Sequence, residues 1–153
     1  MAKFRRAFIE ITNRCNLSCS FCAASRRPPR DMTPEEFRSV AAQVKPLASG
    51  VFLHVLGEPM LHPEFPAILS AASELGLKVT LVTNGTLIDR FGPGLFREPC
   101  LAQVSPSLQA LSALPPEKWE EALGRLIDFA RSRPPGLTVV FRLRGDDGPF
   151  TLA

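Results

Sequence analysis

The chain has 153 residues, 45% of them hydrophobic and 22% charged, with a formal net charge of +3. That length and apolar content suit one globular domain with a real core and argue against disorder. No stretch approaches the ~18 apolar residues of a membrane span, and no apolar segment follows the basic N-terminus. The basic residues are scattered rather than striped, so neither membrane nor nucleic acid is an expected partner, and the cytoplasm is the expected location.

Fifteen prolines predict sharp element ends. Taken in chain order, residues 6–12 (RAFIEIT) read as a strand. Thr33-Pro34-Glu35-Glu36 opens a helix: Thr33 caps, Pro34 suits the first helical position, and Glu36 completes a capping box. That helix is expected to run to about Ala48. Residues 51–55 (VFLHV) form a second strand, 63–75 a second helix ended by Gly76, and 78–83 (KVTLVT) a third strand closed by Asn84-Gly85. Residues 86–98 should hold only a short or broken helix, because Gly92-Pro93-Gly94 interrupts it. A fourth strand is expected over 101–107, an amphipathic helix from Pro115 to about Ser132, and a fifth strand over 137–144. Residues 145–153 read as an irregular tail.

This alternation predicts an α/β fold of parallel strands joined by right-handed crossovers. Strand faces narrow the choice. Glu10 and Thr12 oppose Ile9 and Ile11; His54 opposes Leu53 and Val55; Thr80 shares a face with Asn84. Gln103, Ser105 and Ser107 oppose Val104, and Arg142 and Arg144 oppose Val139 and Phe141. A sheet covered on both faces should read as continuous apolar runs. Here helices are expected on the outside only, with the polar face lining the lumen of a partial (βα) barrel of about four and a half βα units.

Three of the four cysteines crowd into Cys15-Asn-Leu-Ser-Cys19-Ser-Phe-Cys22, directly after the first strand. Without an export signal they should be thiols. Zinc with His54 or His62 as a fourth ligand is one reading. An iron–sulfur cluster fits better, since thiolates hold such clusters and three of them leave one iron of a cubane open. Cys100 stands apart and reads as a small, half-buried hydrophobe.

The Cx3Cx2C pattern after the first strand of a βα series resembles the radical SAM superfamily. The resemblance implies a 4Fe-4S cluster on Cys15, Cys19 and Cys22, with S-adenosyl-L-methionine on the free iron. It implies reductive cleavage of that ligand to a 5′-deoxyadenosyl radical, an oxidoreductase-type chemistry fed by an electron donor such as flavodoxin or ferredoxin. Phe21 matches the aromatic residue that packs near the adenine. Leu56-Gly57-Glu58-Pro59 resembles the GGEP motif, in which Gly57 and Glu58 would orient the ligand's amino group. Thr83-Asn84-Gly85 resembles a TNG segment, placing Asn84 at the ligand, and Ser107-Leu108 resembles an SL segment, with Ser107 on the ribose or carboxylate. Arg142 would reach the carboxylate from the fifth strand. Ile11-Thr-Asn-Arg-Cys15-Asn-Leu and His62-Pro63 resemble the peptide-modifying, SPASM-associated branch, so a peptide or small-molecule substrate is implied.

Such a resemblance makes residues 1–153 a core domain that is incomplete on its C-terminal side, because family cores usually have six βα units. A sixth strand with its crossovers would need roughly 40–60 further residues. The alternative to a competent enzyme is a truncated, catalytically weak cluster- and ligand-binding remnant that needs a partner or a missing segment. The fifth strand would then offer an edge for self-association or a partner.

Overall fold

The structure is a computed structural model and describes residues 4–23 and 26–143. Five strands, β1 (Ala7–Ile9), β2 (Val51–Leu53), β3 (Val79–Thr83), β4 (Leu101–Pro106) and β5 (Thr138–Val139), form one parallel sheet in the order β1-β2-β3-β4-β5. Sequential order in a parallel sheet places every crossover on the same side, as in a barrel. Among the described residues the sheet is open, a partial barrel as the strand faces predict.

Three helices supply the outer layer: α1 (Pro34–Val44), α2 (Phe65–Glu74) and α3 (Trp119–Ser132). The capping box forms as expected: the Glu36 N–H donates to Thr33 Oγ1 at 3.2 Å, and the Thr33 N–H donates to Glu36 Oε2 at 2.9 Å. Phe37 and Ala41 of α1, Ile68 and Ala72 of α2, and Ala122 and Leu126 of α3 are buried on the inner faces of their helices. They join Val51, Leu53, Val79, Leu81 and Val104 in one core. The opposite face of the sheet carries Phe8, 54% exposed, beside Phe52, Thr80 and Gln103. Helices therefore cover one face of the sheet, and the other carries the polar strand residues together with Phe8 and Phe52, an apolar pair that departs from the expected wholly polar lumen face.

Several elements are shorter than expected, each for a local reason. β1 ends at Ile9 because the chain turns to pair with the segment before α1, where Thr12 bridges Asp31 in antiparallel fashion. α1 stops at Val44 because Pro46 has no N–H with which to continue it. Residues 86–98 hold one 3-10 turn, Leu95–Arg97. Residues 108–113 form a 3-10 helix that the sequence reading left out. Proline 116 starts a further 3-10 turn, so α3 begins at Trp119 rather than Pro115.

β5 is the largest difference. The Val140 N–H donates to the Val104 carbonyl and the Arg142 N–H to the Pro106 carbonyl. The rung between them would need an N–H from residue 106, which proline lacks. The ladder thins there, and only Thr138–Val139 count as strand, with a separate bridge from Ser107 to Arg142. Arg144 and the tail over 145–153 lie outside the described residues.

Candidate metal and cofactor site

The cysteine loop leaves the end of β1 and is pinned at its base. The Thr12 hydroxyl donates to Asp31 Oδ1 at 2.6 Å, the Asn13 N–H to the Arg30 carbonyl at 3.2 Å, and the Arg30 N–H to Asn13 Oδ1 at 2.7 Å. Arg14 adds a contact to Asp31 at 3.4 Å. Within the loop the Cys22 N–H donates to the Cys19 carbonyl at 3.1 Å, a turn that brings the second and third thiols onto one short arc. Cys15 and Cys22 are exposed and Cys19 is half-buried.

The segment after β2 is pressed against this loop. Gly57 has φ +75°, and a Cβ there would come within 2.4 Å of the Thr12 carbonyl oxygen. Only glycine tolerates both that backbone and that approach. The next residue fixes the contact, since the Glu58 N–H donates to the Arg14 carbonyl at 2.7 Å. Leu56 is held by Glu10, whose Oε2 accepts from the Leu56 N–H at 3.0 Å while Oε1 pairs with Arg27 at 2.6 Å.

Glu58 is 1% exposed. Its Oε1 accepts from the Met60 N–H at 3.0 Å and the Thr83 hydroxyl at 2.8 Å, and its Oε2 from the Asn84 N–H at 2.6 Å. Burial pushes its carboxyl above the usual range, and the bonds from Asn84, Met60 and Thr83 oppose that rise. In this arrangement the carboxylate ties the end of β2 to the end of β3. It is a buried clamp between motifs rather than an acceptor open to a ligand.

The sequence expectations place the other residues as follows. Asn84, 9% exposed, lies against Cys15 and Asn16. The Ser107 hydroxyl has no partner among the described residues, and Arg142 is exposed beside it through their backbone bridge. Phe21 is half-buried and has no ring partner among the described residues. His54 lies on the lumen face at 6.2 Å from the Phe8 ring, and its pKa is lowered from 6.5 by burial and then by the Arg142 charge. Sequence reading missed Asn16, Thr86, Asp31 and Glu10, which brace the loop. The continuous stretch Ile11 to Leu17 is the signal that contains Asn16.

The donor set favours sulfur chemistry. His62, fully buried, uses both ring nitrogens: Nδ1 accepts from the Glu64 N–H at 3.0 Å, so Nε2 carries the proton and donates to the Met32 carbonyl at 2.8 Å. It is not free to complete a zinc site. Among the described residues no three His, Cys, Asp or Glu side chains converge on a point that a single metal ion could occupy. Thiolates bound to separate irons of a cluster need no such convergence. The Cys19 thiol is pushed up to about 11, by burial and then by Cys22 and Cys15. Cys100 is fully buried, more so than expected, and donates to the Leu69 carbonyl at 3.3 Å.

The sequence model of the radical SAM superfamily matches residues 9–132. The chain belongs to that superfamily. Its members bind a 4Fe-4S cluster and S-adenosylmethionine, and three thiols on one loop after β1 are donors of the kind such a cluster takes. A 104-residue stretch is 32% identical to the Fe-coproporphyrin III synthase of Methanosarcina barkeri, covering 66% of this chain and 26% of that protein. A 129-residue stretch is 33% identical to the GTP 3',8-cyclase of Microcystis aeruginosa, covering 76% and 37%. Among solved structures, Streptococcus suis SuiB bound to its precursor peptide SuiA is similar with a TM-score of 0.61 at 25% identity, over 70% of this chain and 25% of that one. BtrN in complex with AdoMet and 2-DOIA shares the fold, with a TM-score of 0.60 at 14% identity, over 93% of this chain and 57% of that one. The radical SAM chain thus spans between about a quarter and somewhat over a third of the length of these curated relatives. Among the described residues no helix is long and apolar enough to cross a membrane.

Proposed function

We propose that residues 1–153 are the core domain of a radical S-adenosylmethionine enzyme. Cys15, Cys19 and Cys22 would hold the 4Fe-4S cluster, and Gly57, Ser107 and Arg142 would hold the ligand, with Phe21 for its adenine. When bound, the pair would supply one-electron reductive cleavage of S-adenosylmethionine to methionine and a 5′-deoxyadenosyl radical able to take hydrogen from a substrate. The observation that carries this reading is the linkage of two separate motifs, at the ends of β2 and β3, to the one cysteine loop. Gly57 and Glu58 hold the backbone before Cys15, and Asn84 meets Cys15 itself.

The chain's own groups have distinct work in this scheme. Glu58 holds β2 and β3 in register with the loop. The Ser107 hydroxyl, without a partner among the described residues, would offer a hydrogen bond to a ribose or carboxylate oxygen. The Arg142 guanidinium suits a carboxylate. Similarity to the PqqA peptide cyclase of Streptomyces rochei, 32% identical over 80 residues and covering 50% of this chain and 22% of that protein, and to peptide-bound SuiB supports a peptide substrate. A low-potential donor of flavodoxin or ferredoxin type would supply the electron, making the protein an oxidoreductase of the cytoplasm, where thiols stay reduced.

A second reading rests on the open edge. Val140, Phe141 and Leu143 at and after β5 are 41%, 37% and 56% exposed. An apolar, unpaired edge is a template for another strand. The chain would then be a weak remnant when alone, competent once a partner or further βα units cover that edge. Anaerobic protein with dithionite and S-adenosylmethionine separates the two. Steady 5′-deoxyadenosine formation by the isolated chain supports the first. Its appearance only with a partner supports the second, and its absence under every condition overturns both.

A further inference from the structure

The side-chain amide of Asn84 is oriented by its own turn. The Thr86 N–H donates to Asn84 Oδ1 at 2.9 Å, and the Thr86 hydroxyl donates to the same oxygen at 2.7 Å. A backbone N–H can only donate, so the oxygen end of the amide is fixed there. The nitrogen end therefore faces the cysteine loop. It donates to Asn16 Oδ1 at 2.9 Å and to Cys15 Sγ at 3.7 Å. The Thr86 hydroxyl, having given its proton to Asn84, accepts from Asn16 Nδ2 at 2.8 Å. Asn16, Asn84 and Thr86 form a closed ring, and both hydrogens of the Asn84 amide are committed, one of them to sulfur.

The three cysteines are not equivalent in this respect. The Leu17 N–H also points at Cys15 Sγ, at 3.5 Å. Cys15 thus receives N–H groups from two other residues, whereas Cys19 has only its own backbone N–H and no N–H of another described residue reaches the Cys19 or Cys22 sulfur. The contact is long for a hydrogen bond to sulfur, and it strengthens when the sulfur carries negative charge.

We propose that Asn84 is a sulfur-directed donor that sets the reduction potential of the cluster on Cys15, Cys19 and Cys22, rather than a group that binds S-adenosylmethionine. This rests on the cluster assignment proposed above. An N–H aimed at a ligating sulfur stabilises electron density there, and the reduced cluster has one more electron than the oxidised one. The donor therefore favours the reduced form and raises the potential. Asn16 and Thr86 are positioning residues that hold the amide in its donor orientation.

The test is an EPR-monitored redox titration of anaerobically reconstituted protein without S-adenosylmethionine. Asn84→Ser can still accept from the Thr86 N–H in a serine turn but falls short of Cys15. Asn84→Asp keeps both contacts to Thr86 and replaces the donor with an anionic oxygen. The expected result is wild-type iron content, a lower potential for the serine variant and a lower one still for the aspartate variant. Asn84→Ser with wild-type iron and wild-type potential overturns the proposal. Should neither variant load a cluster, pulsed EPR of the reduced wild type decides the matter, with asparagine 15N-labelled at the side-chain amide alone. The Asn16 backbone is then silent, and Asn16 Nδ2 is turned to Thr86. A weakly coupled asparagine nitrogen supports the proposal and its absence overturns it. A wild type that loads no cluster overturns the cluster assignment and this inference together, whereas a normal cluster indifferent to Asn84 overturns this inference alone.

Discussion

Gly57 packs against Thr12 so closely that a single added methyl group would overlap the Thr12 carbonyl oxygen at 2.4 Å and the Arg14 carbonyl oxygen at 2.8 Å. Both obstacles are backbone, so neither can rotate away. Gly57→Ala is expected to push the β2 end off the cysteine loop. The positive φ alone costs about 1–2 kcal/mol, and the overlap adds to it. Thermal unfolding should show the loss, and the variant should take up less iron than wild type. Wild-type stability and iron content would show that the two segments do not need this contact.

Glu58→Gln tests the clamp without changing its size. Thr83 Oγ1 accepts from the Gly85 N–H at 3.0 Å and donates its own proton to Glu58 Oε1 at 2.8 Å. Three donors then face the residue, and an amide presents only one oxygen. One donor is left facing an NH2 group, a defect of about 1–3 kcal/mol in a buried site. Chemical denaturation should report that loss. A much smaller change would mean that the carboxylate is not fully engaged, and would return it to the ligand.

Val55 has φ 131°, the lone non-glycine with positive φ among the described residues, and the residue is 52% exposed. A β-branched residue there is strained by about 1–3 kcal/mol. Glycine relieves the strain at an entropic cost of about 0.5–1 kcal/mol, and little buried surface is lost. Val55→Gly is therefore expected to raise the melting temperature. A lowered value would contradict the strained backbone.

His54 should titrate below 6.5, because burial and the Arg142 charge both disfavour the imidazolium. The unfolded chain then binds a proton at a pH where the folded chain does not. This histidine's share of stability is present above about 6.5 and is lost as pH falls toward the lowered native value. Arg142→Gln should move the NMR titration of His54 upward, while burial keeps it below 6.5. An unmoved titration would separate Arg142 from the lumen floor.

The parallel order, the one-sided helix layer and the capping box of α1 were legible because each rests on local periodicity or spacing. The reach of β5 was not. Its length depends on Pro106 in the neighbouring strand, which removes a rung that no pattern within residues 137–144 can reveal. The grouping of the three cysteines on one loop was legible from spacing, and the place of Gly57 beside that loop from its motif. The true surroundings of Glu58 and Asn84 were hidden, because their partners Thr83, Arg14, Asn16 and Thr86 depend on how three loop ends pack. A motif identifies which residues meet, but not whether their polar atoms are spent on one another or left for a ligand.

Iron and acid-labile sulfide content after anaerobic reconstitution, compared for wild type, Cys19→Ala and Cys100→Ala, tests the central claim most directly. Cys19 lies in the loop beside Cys15 and Cys22, whereas Cys100 is buried in the core against Leu69. The expected result is about four irons and four sulfides in wild type, loss of both in Cys19→Ala, and retention of both in Cys100→Ala protein that remains folded. Equal metal content in Cys19→Ala and wild type, or zinc in place of iron and sulfide, would contradict the account.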